Sequence, residues 1–339
     1  MTSRKLVYDT LEFRNPSRVP RQMWTLPWAE RAYPREMQAL RERFPDDIGG
    51  VAPVLRQQPR TEGDMYAPGQ YTDEWGCVFT NIYEGIIGEV KHPQIPAEDT
   101  QWETADQVRV PEELLSFEIS EVNAACAQSE KFLLCGACPR PFEQLQFIRG
   151  TENLYMDLMD PPAGMLAFLR RMHTFYCDLL EKWAKTDVDA LNFMDDWGAQ
   201  RSLLIPPEMW KQYFLPLYRD YIDIAHRHGK KAFMHSDGYI LDILPDLIDA
   251  GLDAVNSQLF CMGLEQLRPF RGKITFWGEI DRQNLLPRGT VDEVRAAVRQ
   301  VYDTLWNQGG CIAQLEFGPG AKPENVEAVY ETWNTLPIL

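Results

Sequence analysis

ALNFMDDWG (residues 190–198) and KAFMHSDG (residues 231–238) share one plan: a short apolar run of strand formers that ends abruptly in acid and glycine, with a histidine added in the second. A helical-period segment, Pro207 to His228, lies between them and closes at Gly229, where a left-handed cap is wanted. Strand, helix, strand is the unit of a parallel sheet. The same alternation continues with strands at Ala254 to Leu259, Ile274 to Trp277 and Cys311 to Leu315. Helices Ile240 to Ala250 and Val291 to Asn307 separate them, and a last helix starts near Pro323. Upstream, Lys131 to Cys135 and Gln22 to Leu26 read as two more strands. The series predicts an α/β chain folded as a (β/α)8 TIM barrel over residues 1–339, with an elaborated N-terminal region. Residues 46–104 are irregular and rich in Pro, Gly and charge, and read as an insertion or cap with a hairpin around TDEWGCVFTN.

Composition narrows the function. A formal net charge of -16 repels polyanions, and no basic cluster offsets it, so nucleic acid is excluded as a partner. No apolar run reaches the length of a bilayer span and the N-terminus lacks a signal-like stretch, which predicts a cytoplasmic protein without a membrane partner. The seven cysteines are odd in number and irregularly spaced, which suits reduced thiols. Cys135 and Cys138 have a metal or redox spacing but no second pair beside them, and read as core residues.

In a βα barrel the loops after the strands converge on one mouth, so polar residues there become the candidate site. His235 is the one histidine that ends a predicted strand, and Asp237 follows two residues later, on the same face of an extended backbone. The two can share a proton or a metal. Asp195 and Asp196 are adjacent and cannot both face inward; one of them faces the mouth. His235, Asp237 and Asp196 are therefore the catalytic candidates. Asp195, Trp197, Gln258, Glu279 and Asp281 are the candidates for substrate contacts, and Glu316 ends the strand at Cys311 to Leu315.

These segments resemble the uroporphyrinogen decarboxylase superfamily, whose decarboxylases and cobalamin-linked methyltransferases share a (β/α)8 barrel. The resemblance is carried by RKLVYDTLEFRNPSRVP (4–20), TDEWGCVFTNIYEGIIGEVKHP (72–93), FEQLQFIRGTENLYMDL (142–158), the stretch 192–238, ITFWGEIDRQNLLPRGTVDEV (274–294) and GPGAKPENVEAVYETW (318–333). Two departures follow. Where a porphyrinogen decarboxylase is expected to carry an arginine motif for substrate carboxylates, QMWTLPWAERAYP (22–34) retains only Arg31 as a substrate contact. Where the zinc methyltransferases carry His-x-Cys, this chain has His235-Ser236-Asp237. The resemblance implies a divalent metal, zinc first, on His235, Asp237 and Glu316, with a metal-free His235–Asp237 acid/base pair as the alternative. It implies a small methoxylated or methylated substrate whose methyl group passes to a corrinoid (cobalamin) carried by a partner protein, in a monomer or homodimer. A decarboxylase of a tetrapyrrole or smaller carboxylic acid is the alternative enzyme, and a barrel kept only as a binding module is the third reading.

Overall fold

The computed structural model describes residues 1–338. Among the described residues, eleven strands form two sheets. β1 (Arg21–Thr25), β2 (Ile48–Gly50), β6 (Phe132–Leu134), β7 (Ala190–Met194), β8 (Lys231–Ser236), β9 (Ala254–Ser257), β10 (Thr275–Trp277) and β11 (Cys311–Phe317) make an eight-stranded parallel sheet ordered β1-β11-β10-β9-β8-β7-β6-β2. β3 (Gly69–Thr72), β4 (Val78–Asn81) and β5 (Glu89–Val90) form a small antiparallel sheet. The edges of the large sheet meet where Asp47 N–H donates to the Arg21 carbonyl and the Asp46 carboxylate accepts from Met23 N–H. The fold is a (β/α)8 barrel.

The strand alternation sorts side chains into two cores. Phe132, Ala190, Phe233, Ala254, Trp277 and Ile312 point into the lumen, while their neighbours Leu133, Leu191, Met234, Val255, Phe276 and Ala313 pack under the surrounding helices. The helix Ser3–Leu11 closes the N-terminal end of the lumen. Its Val7 and Leu11 join the inner cluster, where full burial of such side chains contributes about 1.5–3 kcal/mol each. Among the described residues no helix is long and apolar enough to cross a membrane.

Three sequence expectations need correction. β2 lies inside the span read as an insertion, so the excursion from the barrel covers 51–118 rather than 46–104. Ile48-Gly49-Gly50 has almost no strand signature of its own and is held by its register with Phe132, Leu133 and Leu134. The segment Pro207 to His228 forms two helices, Pro207–Tyr213 and Leu215–Arg227, because Pro216 cannot donate the bond that would carry one helix into the next. The helix expected from Ile240 covers only Leu244–Asp249. The hairpin around TDEWGCVFTN is present as β3 and β4, with Tyr71 opposite Phe79.

Candidate active site at the barrel mouth

The inward parity that places Phe233 in the lumen also places His235 above it, beside Asn256 of β9 and facing Gln314 and Glu316 of β11. The His235 ring packs against Trp24, with centroids 5.2 Å apart. Its Nδ1 lies 2.6 Å from Asn256 Oδ1. Asn256 Nδ2 donates to the Trp277 carbonyl and to Gln314 Oε1, the latter at 2.9 Å. Both amide hydrogens are thus committed to oxygen acceptors, and Asn256 Oδ1 must accept from His235 Nδ1–H. With that proton on Nδ1, Nε2 is turned toward Asp196 Oδ1 at 3.6 Å and Asp237 Oδ1 at 3.8 Å.

The two acids are brought to His235 by pairing that runs past the ends of β7 and β8. Asp195 N–H donates to the His235 carbonyl, Trp197 N–H to Ser236 Oγ, Gly198 N–H to the Asp237 carbonyl and Asp237 N–H to Asp196 Oδ1. Gly198 and Gly238 touch at the end of this seam. Gly238 has φ +78°, and a Cβ there would fall 1.9 Å from the Gly198 carbonyl oxygen. The left-handed backbone alone costs a non-glycine residue about 1–2 kcal/mol, and here backbone must move as well. Gly238→Ala is expected to lower the urea midpoint of unfolding by more than that penalty and to disturb Asp237. An unchanged midpoint would show that the seam adapts.

Asp195 and Asp196 serve opposite sides of the wall. Asp196 faces His235. Asp195 is fully buried, accepts from Phe142 N–H (3.1 Å), Glu143 N–H (2.7 Å) and Tyr218 Oη–H (2.5 Å), and so caps the helix Pro141–Arg149. Trp197 is buried as well, donating from Nε1 to Tyr218 Oη at 2.8 Å and stacking on Phe142 at 4.0 Å. The substrate contacts expected of Asp195 and Trp197 are therefore corrected: both hold the helix that carries Glu143. Burial, with the Glu143 charge next, pushes the Asp195 carboxyl well above its usual range.

Glu143 and Arg282 were not singled out in the sequence. Burial, followed by the Asp196 charge, raises Glu143 to about 7, and its Oε2 is buried without a partner. Arg282 binds three carboxylates at once: Asp237 Oδ2, Glu316 Oε2 at 2.9 Å and Glu279 Oε1 at 3.3 Å. Burial raises Glu279, Glu316 and Asp196 despite the nearby cations. Of the expected metal set, His235 and Asp237 come together with Asp196, the ligand atoms of the three lying within 4.8 Å of one another, while Glu316, like Asp237, pairs with Arg282; His173, Cys177 and Asp220 form a second such group away from the mouth. Asp237 Oδ1 is buried with no hydrogen-bond partner, as is Glu143 Oε2. An imidazole nitrogen turned toward two carboxylates, one with an oxygen that has no hydrogen-bond partner, fits a divalent cation with nitrogen and oxygen ligands.

The remaining candidates lie around this cluster. Gln258, Glu279 and Asp281 line a cavity of about 110 Å³ together with Phe260, Cys261 and Arg282. The Asp281 carboxylate also accepts from Gln283 N–H and Asn284 N–H. Arg31 is half-exposed and pairs with Glu84 of the β4–β5 turn at 2.5 Å, so its side chain is committed away from the cluster. Cys135 and Cys138 form no pair: Cys135 Sγ lies against the Ala137 carbonyl and Asn192 Oδ1. The signals that could have found Asn256 and Glu143 are weak but readable. Asn256 is a polar residue at an inward position of a central strand, and Glu143 lies in the first turn of a helix that follows a barrel strand.

Comparison with known proteins bears on the fold and the family. The chain superposes on a methyltransferase from Methanosarcina mazei with a TM-score of 0.64 and 13% sequence identity, covering 98% of each chain. A 3-keto-D-glucoside 4-epimerase, YcjR, from E. coli gives a TM-score of 0.40 and 12% identity over 70% of this chain and 95% of that one. No curated protein matches the sequence at a significant level. The family described as Uroporphyrinogen decarboxylase (URO-D) matches residues 84–336, which run from the β4–β5 turn through the last helix and take in Glu143, Asp196, His235, Asp237 and Arg282. With that span accounted for, the chain belongs to the uroporphyrinogen decarboxylase family.

Proposed function

We propose that this chain is a metal-assisted methyltransferase of the family, moving a methyl group from a small methoxylated or methylated substrate to a corrinoid carried by a partner protein. The observation that carries the reading is the cluster of Asp196, His235 and Asp237, with His235 Nε2 and an unpartnered carboxylate oxygen of Asp237 turned toward each other. A divalent ion bound there would supply Lewis-acid polarisation of the heteroatom that bears the methyl group. The protein's own residues do the rest. Arg282 fixes Asp237, and Asn256 keeps the proton of His235 on Nδ1. Glu143 stands beside the cluster with its carboxyl raised to about 7 by burial and the Asp196 charge, and in its protonated form would supply the proton that the departing oxygen takes up as the methyl group leaves for the corrinoid. The fold shared with the Methanosarcina mazei methyltransferase supports this reading.

The decarboxylase alternative needs cations for several substrate carboxylates. Arg31 is paired with Glu84 and Arg282 is saturated by three acids, which disfavours a polycarboxylate porphyrinogen. The deciding assay incubates zinc-loaded protein with methoxylated aromatics and Co(I) cobalamin without oxygen. Methylcobalamin formation that disappears after chelation and returns with the ion is expected. Carbon dioxide release from a carboxylic acid, with no methylcobalamin from a broad panel, would reverse the assignment.

A further inference from the structure

The helices Ala163–Ala184 and Leu215–Arg227 pack side by side on the outside of the barrel, the first against β7 and the second against β8. His173 and Cys177 are four residues apart in the first helix and so stand on one face of it. Asp220 and Tyr221 meet them from the second. His173 Nε2 lies 2.8 Å from Asp220 Oδ2 and 3.5 Å from Cys177 Sγ, and one ligand atom from each of the three lies within 4.8 Å of the others. The His173 side chain is mostly buried, Cys177 half-buried and Asp220 exposed, so the group opens to solvent on one side.

Ordinary packing accounts for part of this arrangement. A neutral imidazole can donate from Nε2 to Asp220 while Tyr221 Oη–H donates to Nδ1 at 3.4 Å. Both ring nitrogens are then served by oxygens, and the thiol is left over. Its sulfur is turned to the ring, 3.5 Å from Nε2 and 3.7 Å from Nδ1, and among the described residues it has no other hydrogen-bond partner. The separations are those of a metal clasp. Around a tetrahedral zinc, with bonds of about 2.1 Å to nitrogen and oxygen and about 2.3 Å to sulfur, a nitrogen stands about 3.5 Å from the sulfur and about 3.4 Å from the oxygen. The first distance is already in place, and the exposed Asp220 carboxylate needs to draw back by about 0.6 Å to meet the second. The outer partner is present too. Tyr221 Oη, fully buried, stands at Nδ1, where a ligating histidine places its remaining N–H on a fixed acceptor. Asp178 and Glu181 bring further negative charge close to the sulfur, and the opposing cation, Arg227, is itself paired with Glu181 and Asp223.

We propose that His173, Cys177 and Asp220 form a second divalent-metal site, on the outer surface of the barrel, which takes a zinc-class ion with water in the fourth position. Thiolate and imidazole select such an ion over magnesium, calcium or manganese. On binding, the thiol proton leaves to solvent and the imidazole proton moves from Nε2 to Nδ1, where Tyr221 Oη accepts it. The thiolate and the Asp220 carboxylate then balance the two charges of the ion, which ties the two helices together. The site is independent of the reaction proposed for the mouth.

Cobalt(II) distinguishes the two sites, because Asp196, His235 and Asp237 include no sulfur. Titration of the reduced, metal-free full chain with cobalt(II) is expected to produce a thiolate-to-cobalt charge-transfer band in the near ultraviolet, which zinc bleaches. His235→Ala should keep the band and Cys177→Ser should abolish it. His173→Ala should weaken binding here by about 100-fold or more, and Tyr221→Phe, which removes the outer partner alone, by about 10-fold. A second measurement uses the unaltered chain. Alkylation of Cys177 by iodoacetamide, mapped by mass spectrometry, should slow about tenfold in zinc at about ten times its Kd, and recover with a chelator. No near-ultraviolet band in the wild type, a band of full intensity in Cys177→Ser, or alkylation of Cys177 that is indifferent to zinc would overturn the proposal.

Discussion

Replacing His235 with alanine is expected to lower kcat/KM for methyl transfer by about 10³-fold or more and to weaken zinc binding at the mouth by a comparable factor, with the fold intact. The ring supplies the nitrogen of the Asp196–His235–Asp237 cluster, and its removal leaves only carboxylate oxygens for an ion. Its packing role is limited to the face against Trp24, so unfolding midpoints should move little. Asn256→Leu sharpens the test, because it retains the ring but removes the acceptor that holds the proton on Nδ1. Loss of such an orienting partner costs about 10- to 100-fold in metal affinity or activity. Calorimetric zinc titration and steady-state rates would check both variants together. Wild-type zinc affinity in His235→Ala would mean that the histidine is not a ligand.

Arg282→Met is expected to produce the largest loss of stability, about 3–5 kcal/mol, because it leaves Asp237, Glu279 and Glu316 facing one another without their shared cation. The pH dependence follows from burial, which already raises Glu279 and Glu316, while Arg282 opposes the rise. Without the arginine their folded-state values climb further above the unfolded reference near ~4.3. An acid shifted in that direction costs stability at high pH, and the cost fades as pH falls and the folded protein takes up the proton. The variant should therefore lose much more relative to wild type at pH ~8 than at pH ~5.5, read as urea midpoints at the two pH values. A deficit of the same size at both would rule out carboxylate repulsion as its source.

Much of the barrel could be read before its structure because its strands carry their own signal. Ala190–Met194 falls where the apolar run places it, and Cys311–Phe317 runs only two residues past the expected end. The position of His235 was legible for the same reason, since strand ends and mouth coincide in this fold. Asn256 and Arg282 were not, because each comes to the site from another strand or loop. Asn256 lies 21 residues away, and Arg282 joins Asp237 to Glu316 over separations of 45 and 34 residues. No local periodicity encodes such contacts. The pair Asp195-Asp196 shows the boundary well: alternation says that one acid faces the mouth, but only the capped helix Pro141–Arg149 shows that it is Asp196. β2 stayed hidden because two of its three residues are glycine.

The helix Ser3–Leu11, stoppering the lumen from below, makes the barrel a vessel with one door. Whatever reaches His235 must arrive and depart through the opening framed by the ends of β6 to β11. On the proposed reading, a methyl donor at the Asp196–His235–Asp237 cluster and a corrinoid above it would share that doorway, so acceptor and spent product would compete for passage. Traffic through the entrance, rather than bond breaking, would then set the order in which the two reactants are served.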